Sequence, residues 1–164
     1  MKKYEFTGET KRVELWNRTA TLHRIKATVE FGFVKVGELG GWIEKEENLS
    51  HEGKAWVWGN AKVWGNAEVW GNAKVCGNAE VCGNAEVFLA SHVLVMGSVG
   101  SRNDFTTFFR DKDNEITVKC GCFLGKIDKF LEKVTQTHGN NKYALVYRAA
   151  VEVAKLQIEL TERK

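Results

Sequence analysis

Residues 55–72 read Ala55-Trp-Val-Trp-Gly-Asn-Ala-Lys-Val-Trp-Gly-Asn-Ala-Glu-Val-Trp-Gly-Asn, three copies of one six-residue unit, Ala-x-Val-x-Gly-Asn. Valine recurs at that spacing at 57, 63, 69, 75, 81, 87, 93 and 99. Alanine holds 55, 61, 67, 73, 79 and 85, with Ser91 and Gly97 continuing the column. Gly-Asn pairs stand at 59–60, 65–66, 71–72, 77–78 and 83–84. Alanine and valine two apart share one face of a short strand, and the residue between them points outward. Glycine and asparagine tolerate left-handed backbone and turn the chain. A helix is excluded, because the spacing ignores the 3.6-residue period and each glycine would cost about 1 kcal/mol. Stacked short strands about 4.8 Å apart remain, each layer needing its neighbours to bury its interior.

The unit Val57-Trp-Gly-Asn-Ala-Lys62 resembles the hexapeptide motif of left-handed β-helix proteins. That resemblance implies three hexads, eighteen residues, per triangular coil, with valine on each flat wall and alanine near each corner. At that period Trp58 lies beneath Cys76 and Leu94, Trp64 beneath Cys82, and Trp70 beneath Phe88. Lys62 then stacks with Glu80, and Glu68 with Glu86. An outward tryptophan on each wall needs cover. The terminal segments supply it, or a homo-oligomer does, a trimer being common in the resembled family. Trp58, Trp64, Trp70 and Phe88 are therefore the expected packing surface.

Ahead of the repeat, 22–29 and 31–37 alternate apolar and polar residues as strands do. Ile43 and Leu49 extend the alanine column backwards, which gives a less regular opening coil over 32–49. Gly40-Gly-Trp-Ile-Glu44 and Asn48-Leu-Ser50 resemble the entry segment of phage and prophage hexapeptide proteins, a cap over the coil end. Beyond Val99, Thr106–Arg110 and Glu115–Cys120 flank a polar loop as a hairpin. Lys126–Thr137 sets Ile127, Phe130, Leu131 and Val134 on one helical face, and Asn141 caps a last helix reaching about Leu160. The expected fold is mainly β: a left-handed parallel β-helix over 53–100, an N-terminal strand and cap segment over 1–52, and a C-terminal β-hairpin plus two-helix α/β module over 101–164. Gly100-Ser-Arg-Asn-Asp104, Cys120-Gly-Cys-Phe123 and Thr137-His138 resemble a module of phage proteins.

The formal charge is +3 with lysine and glutamate interleaved, so no basic stripe suits extended nucleic acid. No apolar run reaches the roughly 18 residues of a membrane span. Met1-Lys2-Lys3-Tyr4-Glu5-Phe6 has no apolar continuation typical of a leader, so the expected location is the cytoplasm, that of the host if phage-encoded. Cys120-Gly-Cys122 lacks the zinc-knuckle spacing, and Cys76 and Cys82 fall inside the repeat. All four thiols are expected reduced and packed as small hydrophobes. His23, His51, His92 and His138 have no local ligand spacing, so neither a metal nor a cofactor is expected.

An acyltransferase of the resembled family would use a histidine base and an acyl-CoA. The register runs unbroken from Val57 to Val99 and throws out no loop for a substrate cleft. His51 and His92 lack an acceptor context, and His92 beside Ser91 reads as a solvated residue. No catalytic residue is assigned. The polar set Ser101, Arg102, Asn103, Asp104 and Arg110, with His138 and Tyr143, is the candidate binding site. Arginines supply forked donors for phosphate or carboxylate, and Phe105, Phe108, Phe109 and Tyr143 are rings for a base. The expected function is a non-enzymatic oligomeric binding protein. The phage resemblance implies counter-defence, by sequestering a nucleotide-like signal or blocking a host protein. The alternatives are an acyl-CoA-dependent transferase and a purely structural or assembly protein.

Overall fold

A computed structural model describes residues 2–15 and 17–160; Met1, which opens the segment read for a leader, lies outside them, as do Trp16 and 161–164. Two long strands, β1 (Tyr4–Glu14) and β2 (Thr19–Ala27), form an antiparallel hairpin, and β3 (Leu39–Ile43) adds antiparallel to β2. The repeat yields six two-residue strands: β4 (Trp56–Val57), β5 (Lys62–Val63), β6 (Glu68–Val69), β7 (Lys74–Val75), β8 (Glu80–Val81) and β9 (Glu86–Val87). They pair in parallel at an eighteen-residue register, Val57 with Val75, Val63 with Val81 and Val69 with Val87. Lys62 faces Glu80, and Glu68 faces Glu86. Each glycine of the repeat turns with positive φ; at Gly71, φ 63°, a Cβ would also stand 2.7 Å from the Phe88 carbonyl oxygen.

The expected left-handed parallel β-helix over 53–100 is overturned by the sheet topology. The chain is mainly β, but its strands divide among small separate sheets, with two helices alongside. A mixed five-stranded sheet runs β1-β2-β3-β5-β8, while β4-β7 and β6-β9 each form a two-stranded parallel sheet. The physical reason is strand length. Two-residue strands make minimal parallel ladders, whereas the 11-residue β1 and the nine-residue β2 make long antiparallel ones that draw β3, β5 and β8 into their sheet.

The expected C-terminal hairpin is present, but it forms the middle of a larger sheet. β10 (Val93–Val99), β11 (Asp104–Arg110), β12 (Ile116–Cys120) and β13 (Phe123–Lys126) form a four-stranded antiparallel sheet. Its first strand takes Val93 and Val99 out of the parallel series, opposite Phe109 and Asp104. At the other end, Ile43 pairs with Val63 and Leu49 bridges Val69, so both stand in the valine column, not the alanine one. Two extra residues between Leu49 and Val57 account for the shift. α1 (Ile127–His138) and α2 (Lys142–Gln157) follow, the second capped by Asn141 Oδ1, which accepts the Ala144 N–H at 3.1 Å. No helix among the described residues is long and apolar enough to cross a membrane.

Three cores result. The alanines and valines of the repeat from 55 to 87 are sealed together with Tyr4, Ile43, Leu49 and Trp56. Phe108, Val118, Phe130, Val134, Tyr147 and Val151 join the C-terminal sheet to both helices. Trp64 and Cys82 are buried with Leu22 and Trp42 beside the N-terminal hairpin. Trp64 is thus covered in cis, while Trp58, Trp70 and Phe88 stay half-buried. Trp70 stacks on Phe88 with centroids 5.0 Å apart. The cysteines are free, and burial pushes the Cys82 thiol up to about 12. Cys76 and Cys122, however, are exposed instead of packed.

Candidate functional site

The chain leaves β10 through a turn over 100–103, and this turn shapes one rim of a cleft of about 400 Å3. Gly100 sits at φ 78°, and a Cβ there would lie 2.0 Å from the Tyr147 hydroxyl oxygen, so only glycine lets the turn approach α2 this closely. Asn103 also has positive φ, 53°, a conformation asparagine tolerates. The turn projects Ser101 and Arg102 over the cleft. α1 supplies Phe130, Lys133, Val134, Thr137 and His138 at three- and four-residue spacings, which places them along one side of the helix. α2 supplies Tyr147, and the β12–β13 turn supplies Cys120, Cys122 and Phe123.

Ser101 Oγ is 3.4 Å from His138 Nε2. The imidazole stacks on Tyr147, centroids 5.9 Å apart at 24°, and lies 5.6 Å from Tyr143. It stands in the last turn of α1. Burial raises the Tyr147 phenol above its ordinary range, and Cys120 adds to this against a hydrogen bond with Ser101, so the hydroxyl remains a donor at neutral pH. The Arg102 guanidinium lies over Gly121, where a Cβ would come within 2.7 Å of its Nη1. Lys133 is exposed on α1, and neither cation has a carboxylate in ion-pair range among the described residues. The cleft lining holds Arg102, Lys133 and His138 and not one aspartate or glutamate. Phe123, Phe130 and Val134 make the rest apolar.

Of the residues singled out in the sequence, Ser101, Arg102 and His138 converge here, with Tyr143 in the layer behind the imidazole. Asn103 shapes the turn, its carbonyl accepting the Ser98 hydroxyl. Asp104 accepts the N–H of Phe105 at 2.7 Å instead of pairing with Arg102, and it faces a different groove. Arg110 is elsewhere and buried. Its Nη1 donates to the Glu86 carbonyl at 2.8 Å, its Nε donates to Asn114 Oδ1 at 3.1 Å, and it lies 5.0 Å from the Phe88 ring centroid. Phe108 and Phe109 are core residues and present no ring to a ligand. Lys133, Thr137, Cys120 and Tyr147 were not marked by sequence as site residues. Only the helical spacing of Lys133 and Thr137 from Phe130 and Val134 carried a signal of them.

His92 corrects its expected exposure. It is fully buried, and its Nδ1 accepts the backbone N–H groups of Phe88 at 3.1 Å and Leu89 at 3.2 Å. His51 Nδ1 accepts the Lys3 N–H at 3.0 Å while its ring stacks on Tyr4. No group of three or more His, Cys, Asp or Glu side chains suited to a metal ion occurs among the described residues. No known protein-family model matches the chain, and no curated protein matches it either.

Proposed function

We propose that this protein is a non-enzymatic binding protein whose cleft captures a small, nucleotide-like molecule, an anion joined to a planar ring. The observation that carries the reading is the composition of the cleft: two cations without carboxylate partners, beside hydroxyls, over an aromatic floor. Arg102 offers a forked pair of donors and Lys133 a mobile charge for phosphate oxygens. Ser101 and Thr137 add hydroxyl donors, and Phe123 and Phe130 offer surfaces for a ring. A volume near 400 Å3 suits a nucleoside phosphate and not a polymer.

The absence of any acidic residue from the lining leaves no carboxylate base within it, which favours retention over turnover. Acyl transfer is disfavoured by a separate observation. His92, the histidine nearest the end of the repeat, commits its basic nitrogen to two backbone amides. Isothermal titration with a panel of nucleoside mono- and diphosphates tests the proposal. Binding is expected to weaken about tenfold or more in Arg102→Ala, the usual scale for one charge-assisted hydrogen bond. Undiminished affinity in that variant, or no binding by the wild-type chain, would remove the reading.

A further inference from the structure

A separate groove of about 590 Å3, larger than the cleft, is bordered by β1, by the outward side of β5 and β8, and by β11 and β12. It contains three lysines and three carboxylates, and each carboxylate has a partner of its own, one of them a lysine. Glu80 is paired with Lys119 at 3.5 Å, Glu14 accepts the Thr19 hydroxyl at 3.0 Å, and Asp104 accepts the Phe105 N–H at 2.7 Å. Lys11 and Lys62 have no carboxylate within ion-pair distance among the described residues. Arg24, Trp42 and Lys62 stand in register across β2, β3 and β5, and the Lys11 ammonium rests 4.2 Å from the centre of the Trp42 ring. Burial, and then the like charges of Lys62 and Arg24, lower the Lys11 amine from its ordinary value.

Beside these lysines, the Asn60 and Asn78 carboxamides, eighteen residues apart in the repeat, make no side-chain hydrogen bond among the described residues. Trp64 and Phe105 line the same groove. We propose that this groove is a second binding site, taking a phosphate-type anion carried on an aromatic body, with Lys11 and Lys62 sharing the anion and Asn60 and Asn78 donating to its oxygens. An anion between two neighbouring ammonium groups replaces one repulsion by two attractions, and a doubly charged group gains more than a singly charged one. Asparagine side chains supply neutral donors at its flanks. The aromatic rings offer the attached body a surface already withdrawn from water. This site shares none of the cations of the Arg102 cleft.

The test uses the full chain with isotope-labelled lysine side chains, titrated with phenyl phosphate and followed by NMR. The Lys11 and Lys62 signals are expected to shift saturably, and affinity to fall about tenfold in Lys62→Gln. Arg102→Ala should leave both unchanged, and inorganic phosphate, which has no ring, should bind more weakly at the same two lysines. Lys129, in an exposed pair with Glu132 at 3.2 Å, serves as the control cation. Non-saturable shifts, shifts at Lys129 equal to those at Lys11, or unchanged affinity in Lys62→Gln would overturn the proposal. Loss of binding in Arg102→Ala would assign the ligand to the cleft instead, and equal affinity for inorganic phosphate would overturn the aromatic body.

Discussion

His92 Nδ1 accepts the Phe88 backbone N–H at 3.1 Å, so a side chain four residues ahead closes the turn at which the repeat ends. Accepting at Nδ1 requires the neutral ring with its proton on Nε2. Burial first, then the Arg110 charge, hold the folded imidazole below its ordinary value near 6.5. In the unfolded chain that ring takes a proton as pH falls through 6.5, whereas in the folded chain it resists. The unfolded state therefore binds more protons in this window, and stability is lost as pH falls. Urea midpoints should drop between pH 7.5 and 5.5 in the wild type. His92→Gln should lower the pH 7.5 midpoint and flatten the dependence, and an unaltered slope in that variant would refute the assignment.

The repeat made the pairing of Val57 with Val75 and of Lys62 with Glu80 legible, because a six-residue unit taken three at a time fixes an eighteen-residue register. It misled where it ended. Six is a multiple of two, so Val93 and Val99 keep the hexad spacing while serving as ordinary alternate residues of an antiparallel strand. Nothing in the valine column distinguishes those states; the break is carried by Phe88–Ser91, where Gly-Asn is lost. The site divides likewise. Ser101, Arg102 and His138 were visible as unusual polar residues, but Lys133 and Cys120 join them only through the packing of α1 on the C-terminal sheet. Lys11 and Lys62 were indistinguishable from solvated lysines until the five-stranded sheet set both on one groove.

Lys3 predicts a dependence on alkaline pH. Its ammonium is buried and donates to the Ala55 carbonyl at 2.7 Å, with the Glu52 and Gly53 carbonyls at 3.5 Å and the Phe31 ring centre at 4.7 Å. Burial lowers its pKa to about 8, while the unfolded side chain holds its proton to about 10.5. Between those values the unfolded state binds more protons, so this group makes the fold more stable as pH rises. Burial raises the Tyr4 phenol, an effect of opposite sign that begins only as the unfolded phenol ionises near 10. Urea midpoints at pH 8 and 9.5 should show the rise in the wild type and its absence in Lys3→Met. That variant should also lose about 1–3 kcal/mol at pH 7 from the carbonyl left without a donor.

Gly100 ties the rim of the cleft to α2. Adding a methyl group at φ 78° and 2.0 Å from the Tyr147 oxygen must push the turn and the helix apart. Gly100→Ala is expected to cost about 1–3 kcal/mol and to expose the face of Tyr147 that stacks on His138. Chemical denaturation measures the first effect and the His138 ring proton shift the second. Wild-type stability with an unmoved His138 signal would contradict the close approach.

Glu68 and Glu86 face each other across β6 and β9, the one like-charged pair among the three repeat ladders, where β5 and β8 place Lys62 against Glu80. Glu86 has the Arg110 guanidinium 3.8 Å away, but Glu68 is exposed and makes no ion pair among the described residues. Like charges directly opposite on a sheet are destabilising and opposite ones stabilising, each by a fraction of a kcal/mol. Glu68→Lys should therefore stabilise the chain by roughly 0.2–1 kcal/mol, and Glu68→Gln by less. The gain should shrink in 1 M salt, where the screening length falls to about 3 Å. Denaturation of the three proteins at low and high salt measures it. A salt-independent gain would place the effect in packing or strand propensity instead of charge, and no gain at all would mean that Arg110 already neutralises both carboxylates.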